Sequence, residues 1–161
     1  MLNNSIGTYT DDFLSKLVSN DLRTYKDFAD DDFLFYKANC QINNFANSMG
    51  AIAQNIAERY LKHIIDNYAI PETENEENRK QIILRANSLR VLTNYVTRDM
   101  GLDMPLALQN DLLAIDGLYF TTTYPGDDTL QLTVGDVLKY LNILENCKHY
   151  VELVITEQEC S

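Results

Sequence analysis

Histidine, glycine and cysteine are all scarce in this chain, and each shortage removes a class of chemistry. Its 161 residues include six glycines, Gly7, Gly50, Gly101, Gly117, Gly126 and Gly135, each isolated from the next. Neither a Walker phosphate loop nor a Gly-rich dinucleotide turn can be built from them. The two histidines, His63 and His149, lack a Glu three residues before them, so the paired Glu-x-x-His ligands of a dinuclear helical site are missing. No metal and no other cofactor is expected. Neither Gly-x-Ser-x-Gly nor His-Glu-x-x-His occurs, and two histidines leave little room for a catalytic triad. Cys40, Cys147 and Cys160 are odd in number and widely spaced, with no C-x-x-C, which reads as plain thiols rather than a disulfide framework or zinc knuckle.

Positive charge is also short: 13 Lys and Arg face 24 Asp and Glu, a net charge of -11. Bulk duplex DNA and anionic membranes are poor partners for such a chain, because counterion release needs clustered bases. No stretch approaches the ~18 consecutive apolar residues of a membrane span. The opening MLNNSIGTYTDD has neither the basic nor the apolar region of a secretory signal. A cytoplasmic location is expected.

The chain does contain helical periodicity. Pro71, Pro105 and Pro125 punctuate stretches whose apolar residues recur three and four apart. Met49, Ile52, Ala53, Ile56, Tyr60, Leu61, Ile64 and Tyr68 predict a helix of about twenty residues that ends before Pro71. Glu58 and Lys62 form an i,i+4 pair on its expected outward face. A second stripe, Ile82, Ala86, Leu89, Leu92 and Val96, predicts a helix from about Glu76 to Met100 closed by Gly101. A third begins at Thr133, where Asp136 completes a capping box, and continues to Val154. A fourth is expected from Asp30 to Gln41, with three aspartates at its positive end.

Shorter pieces are Leu106 to Ile115 after Pro105, and Asp11 to Val18 with Thr10 as N-cap. PETENEE, residues 71–77, reads as a charged connector, and Leu118 to Leu132 as a structured loop with Pro125-Gly126 in a type II turn. The least costly burial of four apolar stripes is an all-α, antiparallel up-and-down helical bundle of four long helices plus short ones.

The most distinctive charge pattern is a basic island. Between Asn78 and Arg98 stand Arg79, Lys80, Arg85, Arg90 and Arg98 without one Asp or Glu. Arg85 falls within the apolar stripe, which points it to core or interface. The island fits a solvated face answering acidic neighbours, with Arg85 in an interior ion pair, or a phosphate or RNA-backbone contact with Arg85 as an inward-pointing anchor. Arg59 and His63, i,i+4 on one helix, could act on a phosphodiester, or could simply be structural. Tyr119, Phe120 and Tyr124 could stack on a base or plug one end of the bundle.

Three segments together resemble the HEPN domain (higher eukaryotes and prokaryotes nucleotide-binding), a small dimer-forming helical bundle often encoded beside a minimal nucleotidyltransferase. The first is ADDDF with Tyr36-Lys37-Ala38, similar to the family's opening helix. In the second, AQNIAERYLKHII, the residues Ala53, Gln54, Ala57, Glu58, Leu61 and Lys62 match its Ala-Gln-Gln-Ala-Ala-Glu-Lys-x-Leu-Lys-x-Leu-Leu helix. The third runs from RANSLRVL to YFTTTYPGDD, where members carry a Lys-x-His-Asp-Leu box and then Thr-Arg-Tyr-Pro. The likeness covers residues 29–156 as one bundle, with residues 1–28 an added helical extension.

Departures from the pattern decide the function that the resemblance implies. The nuclease members use Arg followed by four to six residues and then His, whereas Arg59 and His63 have three residues between them. Asn87 stands where the box has His, and Thr123 where the loop has Arg. An amide cannot shuttle protons near neutral pH. The resemblance therefore implies a nuclease-inactive homodimer, binding a partner protein or a nucleotide or RNA phosphate through Arg85, Asn87, Arg90 and Tyr124. It also implies a place in a toxin–antitoxin or phage-defence pair with a nucleotidyltransferase. The alternatives are a metal-independent ribonuclease using Arg59 and His63 across a dimer, and a structural bundle with no ligand.

Overall fold

Helices begin where side chains can cap them. In a computed structural model, which describes residues 22–161, α1 spans Tyr25–Gln41. It starts five residues before the expected Asp30. Thr24 and Asp27 form a reciprocal capping box there, satisfying amides that the aspartate run could have served only by charge. Asp30 and Asp32 instead lie inside α1 and hold other helices. Asp30 accepts from the Tyr60 hydroxyl at 2.6 Å and pairs with Lys26 and Lys148, while Asp32 pairs with Arg59. The expected Asp11 to Val18 helix lies outside the described residues.

The helix α2, Met49–Tyr68, has the predicted bounds. After it come α3 (Glu74–Leu84), α4 (Leu89–Asn94), a π-helical turn (Tyr95–Asp99), α5 (Leu106–Ala114), α6 (Leu118–Thr123) and α7 (Val134–Glu159). The capping box of α7, Thr133 with Asp136, forms as expected. Gly101 has φ +67°, the left-handed conformation foreseen for it. Among the described residues there is no strand, and no helix is long and apolar enough to cross a membrane. The protein is an all-α bundle.

Three expectations need correction. The long helix from Glu76 to Met100 is broken at residues 85–88. Ser88 caps α4 by accepting from the Val91 amide, and Asp116 accepts from the amides of Leu89 and Arg90, so a second helix start outcompetes continuation of the first. PETENEE is less connector than helix start, since Thr73 and Glu76 form a capping box for α3. The segment after Gly117 forms α6 before it turns, and Gly126 does not adopt the positive φ that a type II turn would need. The turn closes two residues later, through the Thr129 amide donating to the Gly126 carbonyl.

At the centre stands α2, which packs against α1, α3, α4, α6, α7 and the π turn. Its partners on α1 descend in number as α1 ascends, Asp30 to Tyr60 and then Asp32 to Arg59, so the two run antiparallel. The same holds for α1 and α7, where Asp30 meets Lys148 and the Tyr36 hydroxyl donates to the Val137 carbonyl. The core lies between these three long helices, with Ile56, Tyr60, Leu61, Ile64, Leu144 and Val151 inside it.

Candidate ligand-binding site

The side of α2 expected to face water is buried. Glu58 is 4% exposed and Lys62 9%, with their charged atoms 4.0 Å apart. The outward placement is thus overturned, because α4 and α6 cover that side. Gln54, one turn earlier, donates to Glu58 Oε1 at 2.8 Å. Burial pushes the Glu58 carboxyl above its ordinary range, against the Gln54 hydrogen bond and the Lys62 charge, and burial likewise depresses the Lys62 ammonium.

Gln54 also fixes the geometry of the candidate site. Its side-chain oxygen accepts from the Tyr119 amide at 2.8 Å, and its nitrogen reaches the Asn87 carbonyl at 3.4 Å. One buried amide therefore joins the α3–α4 junction to the start of α6. From α6 and its exit project three exposed rings: Tyr119 meets Phe120 edge-on at 5.2 Å and Tyr124 at 6.4 Å between centroids. They are solvent-facing rather than a bundle plug, with Tyr124 54% exposed. The loop beyond is pinned by Asn47, whose amide donates to the carbonyls of Thr122 and Leu130 and accepts from the Leu132 amide.

The basic island divides in two. Arg79 pairs with Asp99 at 2.8 Å, and Lys80 is buried, donating to the carbonyls of Asp66 and Ala69 that end α2. Arg85 and Arg90 are exposed and have no ionic partner among the described residues. Arg85 does not enter the core as its periodicity suggested, because the helix ends at that residue. Asp116 already occupies the amides that open α4. An anion at this site must therefore be held by the Arg85 and Arg90 side chains, not by backbone N–H groups.

Arg59 and His63 lie elsewhere, on the side of α2 against α1. Asp32 engages Arg59, and His63 is 8% exposed, with Nδ1 3.2 Å from the Asn67 amide nitrogen. Burial depresses the imidazole pKa, the Lys26 charge adding to it, so the ring is neutral over a wider range than a free histidine. Among the described residues no cluster of three or more His, Cys, Asp or Glu could hold a metal. Cys40, Cys147 and Cys160 are free, the first two buried.

Sequence reasoning missed Gln54 as an organiser and Asp116 as a cap. Asn87-Ser88 ahead of an apolar run was a readable helix-start signal, but nothing local marked Asp116, which acts from 27 residues away. Comparison with protein-family models, with characterised proteins and with solved structures finds no match to this chain. The class defined by the coordinates is thus an all-α bundle carrying an exposed aromatic cluster that Gln54 links to a segment bearing two arginines with no ionic partner among the described residues.

Proposed function

We propose that the protein is a nuclease-inactive, HEPN-like binding module that holds a nucleotide or single-stranded RNA on Tyr119, Phe120 and Tyr124, with Arg85 and Arg90 on the phosphates. The observation that carries this reading is the solvent-exposed ring cluster linked through Gln54 to the segment bearing those two free arginines. Base stacking on an aromatic ring contributes about 1–3 kcal/mol per base, and arginine supplies planar phosphate recognition. Asn87 in this segment supplies no proton-transfer group, which favours binding over cleavage. A homodimer belongs to the same proposal. The outer side of α1, with Phe28, Leu34 and Phe35 exposed and Ile42 exposed just past its end, is a surface that a second copy would cover. Pairing with a nucleotidyltransferase in a toxin–antitoxin or phage-defence system follows from the family resemblance alone.

Fluorescence anisotropy with a short labelled single-stranded RNA in metal-free buffer tests the reading. Two phosphate contacts predict a log–log salt slope of about -1.4, from about -0.7 per contact on single strands. Arg90→Ala should remove half of that slope, and Tyr124→Ala should weaken binding at least fivefold. Binding indifferent to both substitutions would overturn the assignment. So would RNA cleavage abolished by His63→Ala, although the buried imidazole and the engaged Arg59 speak against the ribonuclease alternative. Light scattering tests the dimer, and a monomer at micromolar concentration would refute it.

A further inference from the structure

A cavity of about 420 Å³ opens between the chain leaving α2, the first turns of α3, the π turn and the end of α7. That volume is within the ~300–1,000 Å³ of small-molecule sites. Tyr95 and Asp99, the two ends of the π turn, both line it, and such turns recur at functional sites. Tyr95 is only 8% exposed, yet its hydroxyl has no hydrogen-bond partner among the described residues. The ring is buried but the hydroxyl itself is not sealed off, so it is free to bond a group that enters the cavity.

Charge decides what that group is. Arg79, on the cavity wall, is neutralised by Asp99 at 2.8 Å. Glu72 and Glu76 also line the space and leave it net negative. Glu76 spends one oxygen on the amides of Glu72 and Thr73, while the Glu72 side chain has no hydrogen bond or ion pair among the described residues. Tyr68 and Tyr95 contribute ring surface that attracts cations, and Ile70, Pro71 and Leu102 contribute hydrocarbon. We propose that this cavity is a second binding site, independent of the RNA reading, for a small organic cation: an amine or guanidinium on a short hydrocarbon body. The Tyr95 hydroxyl and the Glu72 carboxylate accept its N–H groups.

Agmatine is a suitable probe, added to the ¹⁵N-labelled full chain and followed by amide chemical shifts. Saturable shifts confined to Tyr68, Glu72, Tyr95, Asp99 and their neighbours are expected. Glu72→Gln and Tyr95→Phe should each weaken binding about tenfold or more, the loss of one hydrogen bond to a charged group at about 1.5–3 kcal/mol. Both substitutions preserve shape, and a wild-type-like spectrum before titration establishes that each variant folds. Shifts spread over acidic residues throughout the chain, inorganic phosphate perturbing the cavity instead, or unchanged affinity in both variants would overturn the site. Tighter binding of N-acetyl-arginine amide than of agmatine would overturn the free-ligand assignment in favour of a peptide side chain.

Discussion

Gly50 offers a direct test of how α2 presents the aromatic cluster. A methyl group at this position would stand 2.7 Å from Thr122 Cγ2, 2.9 Å from its Oγ1 and 3.2 Å from its Cβ. Thr122 is not free to swing aside, since it is buried and its hydroxyl donates to the Leu118 carbonyl at 2.6 Å. Overpacking of this kind costs about 1–3 kcal/mol, while replacing a helical glycine by alanine returns at most about 1 kcal/mol. Gly50→Ala should therefore destabilise the protein by about 1–2 kcal/mol, or about 2–8 °C for a chain of this size. Circular dichroism during urea and thermal unfolding measures both. Thr122→Ala removes the two closest atoms, so Gly50→Ala should be nearly harmless in that background, a coupling of about 1 kcal/mol in a double-mutant cycle. A Gly50→Ala protein as stable as wild type or more so would refute the close packing of α2 on α6, and with it the rigid mounting of Tyr119 and Phe120.

Three further outcomes are expected. Asn47→Ala removes three hydrogen bonds, one to the end of α6 and two to the segment after it, and should cost about 1–3 kcal/mol while speeding amide exchange at Leu132; unchanged exchange there would show that Asn47 is not the latch. Burial holds the Glu58 carboxyl above its ordinary 4.5, so the fold binds its proton more tightly than the unfolded chain does; its contribution is complete below 4.5 and is lost as pH rises through the folded-state value. Glu58→Gln removes that loss, so its stability from pH 4.5 upward should be flatter than that of wild type, and parallel urea-midpoint curves would refute the burial argument. Finally, Cys160 is exposed while Cys40 is buried and the Cys147 thiol is pushed up to about 12 by burial, so Ellman's reagent should modify one thiol rapidly in the native protein; two or three fast thiols would contradict the packing of α1 and α7.

Much of the architecture was legible in the sequence because it is locally determined. The bounds of α2 follow from a strong stripe and a proline, and the start of α7 from Thr133 and Asp136, three residues apart. What could not be read depends on distant partners. The break at residues 85–88 owes its stability partly to Asp116, and moving Arg85 from the stripe to the surface is a consequence of that break. The exposed rings of the candidate site were legible as residues but not as a cluster, since a bridge through the distant Gln54 relates Tyr119 to Asn87.

Burial on α2 also changes what the family likeness can mean. The six matching residues there, Ala53, Gln54, Ala57, Glu58, Leu61 and Lys62, are all buried. Ala53, Ala57 and Leu61 pack in the core, and Gln54, Glu58 and Lys62 form a polar ladder along the same helix. Each position has a structural reason to be what it is: small residues let neighbouring helices approach, and a buried amide satisfies two backbone groups that would otherwise be orphaned. A likeness carried by such positions speaks to how helices associate and not to the chemistry performed on their surface. The functional question therefore falls on the exposed residues, Arg85, Arg90, Tyr119, Phe120 and Tyr124, where Arg90→Ala and Tyr124→Ala can weaken the proposed RNA binding without touching the core.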